Sequence, residues 1–203
     1  MGHPDLGSAA RDPPAGLRAL VLADEPPYVP LDRLLERDVD VVLCLGDLSR
    51  HDLQPLERLR VPKLGVHGNH DDGGEFTGLG IESVHLRQVS VGGLTFGGFS
   101  GSHEYHRDPR YTWSQRDASR LLRRFGHVDV MLAHSPPFGV NDEPDDPAHV
   151  GLVALREYVE RERPGVLLHG HTAPALPVER LGSTRVVHVR GHRFVTLKAA
   201  GAG

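Results

Sequence analysis

Hydrophobic positions fall along the chain in short runs separated by polar and turn-forming residues. Runs at 18–23, 39–45, 63–67, 94–99, 128–134, 166–169, 185–189 and 194–197 are rich in Val, Leu and Phe and short for helices, so they predict β-strands. Between several of them the spacing turns helical. Asp52 is placed to cap a helix over 53–59, and Ser114 followed by Asp117 forms a capping-box pattern that opens a helix to about residue 125. Asp146 with Pro147 reads as an N-cap and first-turn proline for a helix in which Ala148, Leu152, Leu155 and Val159 share a face and Pro164 is the stop. The segment 141–147, NDEPDDP, is polar enough to be a loop.

Strands alternate with helices early, and strand follows strand in the last third, with Gly182 and Gly191 as turn residues. That order predicts an α/β (α+β) fold in which two sheets pack together with helices outside. No repeat and no linker interrupts it, so one domain is expected over 17–203, behind a flexible arm over 1–16 rich in Gly, Pro, Ala and Asp.

Composition narrows the function classes. A chain of 203 residues suits one core, and a formal net charge of −4 at pH 7 argues against binding nucleic acid by bulk positive charge. Cys44, the only cysteine, sits inside an apolar run and reads as core, so no internal disulfide is expected. No apolar stretch approaches the ~18 residues of a membrane span, and the first residues lack the apolar segment of a signal peptide, so a cytoplasmic location without membrane attachment is expected.

The informative polar residues stand where strands end. The first run stops at Asp24, the second at Gly46-Asp47, and the third leads into Gly68-Asn69-His70-Asp71. Later runs stop at His134-Ser135 and at His169-Gly170-His171. Sites in open α/β sheets lie outside the carboxyl ends of strands, so five such endings are expected to converge on one crevice.

GD at 46–47, GNHD at 68–71, the lone His134 and GH at 170–171 resemble the calcineurin-like metallophosphoesterases, over about residues 18–198. The resemblance implies a four-layer αββα sandwich and a pair of metals bridged by one carboxylate. Carried over residue by residue, it makes Asp47 the bridge and gives one metal Asn69, His134 and His171 as well. For the other metal, the family's DxH reads Asp24-Glu25-Pro26 here, and its GHxH reads Gly170-His171-Thr172-Ala173. Both missing histidines belong to the same metal, leaving only Asp24 and Asp47. One firm site and a second that is labile or absent are therefore expected, with Mn²⁺ first among Mn²⁺, Fe, Zn²⁺ and Mg²⁺. Glu25, His51, His67 and His103 are candidates to fill the gap.

A bound cation neutralises phosphate charge and supplies hydroxide near neutral pH. The resemblance therefore implies a phosphomonoesterase or phosphodiesterase, with His70 protonating the leaving oxygen and Asp71 orienting or charging its ring. The alternative is a catalytically degenerate member kept as a scaffold or regulatory binding protein. The implied partner is a small phosphoester. The segment 101–113, with His103, Tyr105, His106, Arg107, Arg110, Tyr111 and Trp113, leaves a nucleotide-like one open beside the plainer reading of a solvated surface loop. Arg116, Arg120, Arg123 and Arg124 read as a solvated helix face. His169 is expected to point away from the ligands on strand alternation, and His149 to lie on a helix face, at the border of the crevice or away from it.

Overall fold

The structure, a computed structural model, describes residues 16–105 and 110–198. The expected arm over 1–16, except Gly16, lies outside the described residues, as do His106 and Arg107.

The first half of the chain forms β1 (Leu17–Ala23), α1 (Leu31–Leu34), β2 (Val41–Cys44), α2 (Arg50–Leu53), β3 (Lys63–Gly65), β4 (Glu82–Ser83), β5 (Gln88–Val91) and β6 (Leu94–Phe99). There follow β7 (Ser102–His103), β8 (Thr112–Trp113), α3 (Gln115–Leu122), β9 (Val130–Ala133), α4 (Val153–Glu162), β10 (Val166–His169), β11 (Val178–Leu181), β12 (Thr184–His188) and β13 (Gly191–Leu197). One mixed sheet runs β13-β1-β2-β3-β4 and the other β11-β12-β10-β9-β6-β5.

Alternation along the strands sorts the aliphatic residues into layers. Val21, Leu43 and Val66 of the first sheet meet Phe96, Leu132 and Leu168 of the second in the central core. The residues between them turn outward: Leu20, Leu22, Val42 and Cys44 pack against Leu31 and Leu34 of α1 and Leu53 of α2. On the far side Met131 and Leu167 pack against Ala118 and Leu122 of α3 and Leu155 and Tyr158 of α4. These three apolar layers make the four-layer αββα sandwich. Each fully buried Leu or Val contributes roughly 1.5–3 kcal/mol against exposure, so the central layer is the main stabilising unit.

Two helix starts differ from the sequence pattern. Ser49, not Asp52, caps α2, its Oγ accepting the Asp52 N–H at 3.1 Å. The helix then tightens into a 3₁₀ turn over Gln54–Arg58, where Pro55 has no N–H to continue the α ladder. Asp146 caps only a turn, accepting from the N–H of Ala148 at 3.0 Å. Leu152 is held extended in a β-bridge to Pro137, with its N–H on Pro136 O, so α4 cannot begin before Val153. The expected Ser114 cap is present on α3, with Ser114 Oγ accepting the Asp117 N–H at 3.1 Å. At the other end of α4, Arg163 turns left-handed at φ 52° and Pro164 follows.

Among the described residues no helix is long and apolar enough to cross a membrane. In the first sheet β1, β2 and β3 run parallel, and in the second β6, β9, β10 and β12 do. Their carboxyl ends meet along one rim, where His67 O accepts from Gly101 N at 2.7 Å and Leu45 O lies 2.9 Å from His134 Nδ1.

Candidate metal centre

The strands that reach this rim stop abruptly. Asp24, Asp47 and His171 each take a left-handed backbone, at φ 62°, 53° and 70°, a conformation that costs a non-glycine residue energy and is held by its surroundings. The turn aims each side chain back over the strand ends. Two glycines make room: a Cβ on Gly68 would stand 2.0 Å from Asp47 Oδ1, and one on Gly170 would stand 2.8 Å from both Asp24 oxygens.

The side chains so aimed come together. His134 Nε2 lies 2.9 Å from Asn69 Oδ1 and 3.4 Å from Asp47 Oδ2. A ring nitrogen of His171 completes a group with Asp47 and His134 in which the ligand atoms lie within 4.8 Å of one another. Asp47 Oδ1 accepts the His70 N–H at 2.9 Å, and both Asp24 oxygens accept the His171 N–H at 3.0 Å.

The chemistry of these atoms is compatible with a bound cation. His134 is fully buried, with Nδ1 2.9 Å from the Leu45 carbonyl oxygen, to which it donates, and Nε2 facing Asn69 Oδ1 and Asp47 Oδ2, so without a cation Nε2 is protonated as well and with one it gives up that proton to the metal. Burial opposes charge on His134, but Asp47 and then Asp24 outweigh it and push the pKa up to about 9. Burial also opposes charge on Asp47, whereas His134 and the His70 N–H draw its pKa down to about 2. In His171, Nε2 lies 2.8 Å from Ala148 O and so bears hydrogen, leaving Nδ1 as the lone-pair atom. Burial and His134 lower its pKa to about 3. Two imidazole nitrogens, a carboxylate and an amide oxygen form a mixed N/O set that suits a first-row divalent metal.

His70 and Asp71 lie differently from one another. The His70 ring is exposed, beside Asp24 and Asp47, where two clefts of about 640 and 470 Å³ join. Asp71 is buried, and its Oδ2 accepts from Gly68 N at 2.8 Å and Asp47 N at 3.2 Å. Those bonds place Asp71 beneath the loop, bracing the backbone that carries Asp47, and not against the His70 ring as the sequence suggests.

The family model of the calcineurin-like phosphoesterases matches residues 17–175, which include Asp24, Asp47, Asn69, His134 and His171. The chain belongs to that family. No curated protein matches it in sequence. Among solved structures, TT1561 of Thermus thermophilus superimposes with a TM-score of 0.61 at 14% identity, covering 90% of this chain and 100% of its own. AQ665 of Aquifex aeolicus, titled a protein of unknown function, gives 0.46 at 15% identity over 86% and 89%. Vacuolar Protein Sorting 29 of Cryptosporidium parvum gives 0.41 at 20% identity over 85% and 73%.

In this calcineurin-like phosphoesterase the positions of the two missing histidines are filled by other contacts. Pro26 offers no ligand atom. Its neighbour Glu25 turns to the Arg190 guanidinium and to the Tyr28 hydroxyl. Ala173 donates its N–H to Glu143 Oε1 at 3.2 Å. Burial raises the pKa of Asp24 to about 6, against the opposing effect of His134.

Of the other candidates for the gap, His67 is engaged elsewhere, and neither His51 nor His103 lines either cleft. His67 is buried between the rings of Phe76 and Tyr111, at 4.2 and 4.8 Å between centroids, and its Nδ1 faces Glu75 Oε2 at 3.3 Å and Asp71 Oδ2 at 3.6 Å. His67, Asp71 and Glu75 thus form a second group of metal-ligating type, more buried than the first, whose carboxylates already accept backbone N–H groups. His51 is exposed on α2, and His103 lies on β7. His169 points away from the rim, toward Asn141 Oδ1 at 3.1 Å.

His149 stands on the turn before α4, not on a helix face, and borders the cleft with its ring 5.2 Å from that of His171. With Glu143 and Asp146 it makes a third group of this type, half-exposed. In the sequence only the polarity of 141–147 and the place of His149 near the crevice pointed toward it. Arg190 is the residue that sequence reasoning missed: it reaches the cleft from the turn between β12 and β13 with no motif around it.

Proposed function

We propose that this chain is a catalytically degenerate metallophosphoesterase: it holds one divalent cation and, with it, a phosphorylated ligand, and serves as a binding or regulatory protein. One observation carries the reading. The four-residue set around His134 is complete, while on the Asp24 side both family histidines are replaced, and the groups now standing there are a guanidinium and a carboxylate engaged with each other. In two-metal hydrolysis the paired cations stabilise the attacking and the leaving oxygen. A chain that supplies ligands for one of them retains binding and loses most of that stabilisation. In this reading the cation, when bound, supplies positive charge to phosphate oxygens. Asp47, Asn69, His134 and His171 hold it, Asp71 braces the Asp47 backbone, and Asp24 positions His171.

The exposed His70 ring beside Asp47 favours a second reading, hydrolysis by one firm metal with His70 protonating the leaving oxygen. Elemental analysis combined with Mn²⁺ titration of a generic phosphomonoester and phosphodiester separates the two. The degenerate reading expects one metal per chain and no hydrolysis above buffer. Metal-dependent turnover that His70→Ala removes without lowering metal content overturns it in favour of the second.

A further inference from the structure

On the Asp24 side of the cleft the chain has lost two neutral metal ligands but has not lost positive charge. Arg190 lines the cleft of about 470 Å³ together with Asp24, Asp47, His70 and His171. Its Nη2 is held by Glu25, the residue directly after Asp24, and Glu25 is itself steadied by the Tyr28 hydroxyl at 3.1 Å. The segment that fails to supply the family's histidine thus supplies the carboxylate that anchors a guanidinium in the same cleft. We propose that Arg190 is a phosphate-binding residue standing in for the charge of the missing metal, and that the ligand class is a phosphomonoester.

The inference rests on the reading of this cleft as a phosphate-ligand site. A guanidinium has five N–H donors in a planar fork, so one bond to Glu25 leaves donors for an anion. The fork binds two oxygens in parallel. When one phosphate oxygen is given to a cation, a phosphomonoester retains two further non-bridging oxygens and a phosphodiester only one. The paired geometry therefore selects the monoester. Lys in place of Arg keeps the charge without the fork.

The test is calorimetric titration of inorganic phosphate and of dimethyl phosphate into the full chain with Mn²⁺ present, for wild type, Arg190→Gln, Arg190→Lys and the control Arg120→Gln. Arg120 lies on α3 with its side chain 73% exposed, and its loss changes the net charge equally. Wild type is expected to prefer phosphate to dimethyl phosphate. Arg190→Gln should weaken phosphate about 10- to 100-fold, the range for losing hydrogen bonds to a charged group, with Arg190→Lys intermediate and Arg120→Gln unchanged. Manganese content should stay equal in all four.

Phosphate affinity within twofold of wild type in Arg190→Gln, no phosphate binding by wild type, or loss of manganese from Arg190→Gln would each overturn the assignment. Binding is read independently of turnover. Hydrolysis by the wild-type chain would remove the degenerate reading and leave the Arg190 result standing.

Discussion

The Asp24 carboxylate and the His171 backbone are joined across 147 residues of chain, with both oxygens 3.0 Å from one N–H. Asp24 follows the last residue of β1 and His171 lies beyond β10, so this contact ties the rim of one sheet to the rim of the other. Asp24 is thereby a positioning residue for His171 before it is anything else.

Replacing Asp24 with Ala leaves the His171 N–H without its acceptor, at a cost of about 1–3 kcal/mol. Urea unfolding of the metal-free protein should show that loss. Asp24→Asn, which keeps an acceptor oxygen, should lose less. Manganese stoichiometry should stay at one in both, because Asp24 does not belong to the set around His134; a fall to zero in Asp24→Asn would make it a required ligand.

His134→Ala and Asn69→Ala should each weaken Mn²⁺ binding by more than the 10–100-fold typical of an outer-shell partner. In His134→Ala the carbonyl of Leu45 also loses its side-chain donor, so the metal-free variant should be destabilised by about 2–4 kcal/mol. Equilibrium dialysis reads the first effect and thermal unfolding the second. Retained tight binding in both variants would remove the set around His134 as the metal position.

His85 gives a pH dependence away from the centre. Its Nδ1 accepts the Ser100 N–H at 2.9 Å, which a protonated ring could not do, and burial lowers its pKa from 6.5 to about 4. The folded state therefore prefers neutral His85. Its contribution is complete above pH 6.5 and is lost as pH falls toward 4, to the order of 3 kcal/mol by the linkage of roughly 1.4 kcal/mol per pH unit. Urea midpoints of wild type and His85→Gln across that window should converge at the acid end, and a constant gap would sink the assignment.

Ser114→Ala should destabilise the protein by about 1 kcal/mol through loss of the α3 cap, with no change in metal content. Chemical denaturation checks this, and an effect on manganese binding would show that the helix is coupled to the rim.

The strand ends were legible in the sequence because each is an aliphatic run cut off by Gly, Asp, Asn or His, and only strands that point the same way make such repeated endings meet. The edge strands β5 and β11 were not legible. Their sequences QVSV and VERL alternate between exposed and half-buried positions, which dilutes the apolar signal. The start of α4 was misread because Asp146 and Pro147 have the residue types of an N-cap, and only the pairing of Leu152 with Pro137 shows that the chain is still extended there. The resemblance implies that Asp71 serves the His70 ring, whereas a left-handed residue at 47 brings the Asp47 N–H to Asp71. Arg190 meets Glu25 across 165 residues, and no local pattern encodes that distance.

The proposed ligand set is divided between the sheets. Asp47 and Asn69 follow strands of the first, while His134 and His171 follow strands of the second. A cation held by all four acts as a clasp on the sandwich, and prying the sheets apart at that rim is the same act as releasing the ion. Occupancy then adds to the work of unfolding by RT ln(1 + [L]/Kd), about 2.7 kcal/mol at a hundredfold excess over Kd. With a cation so held, the melting temperature would be a gauge of what the rim has bound, and withdrawing metal would loosen the architecture along with the site.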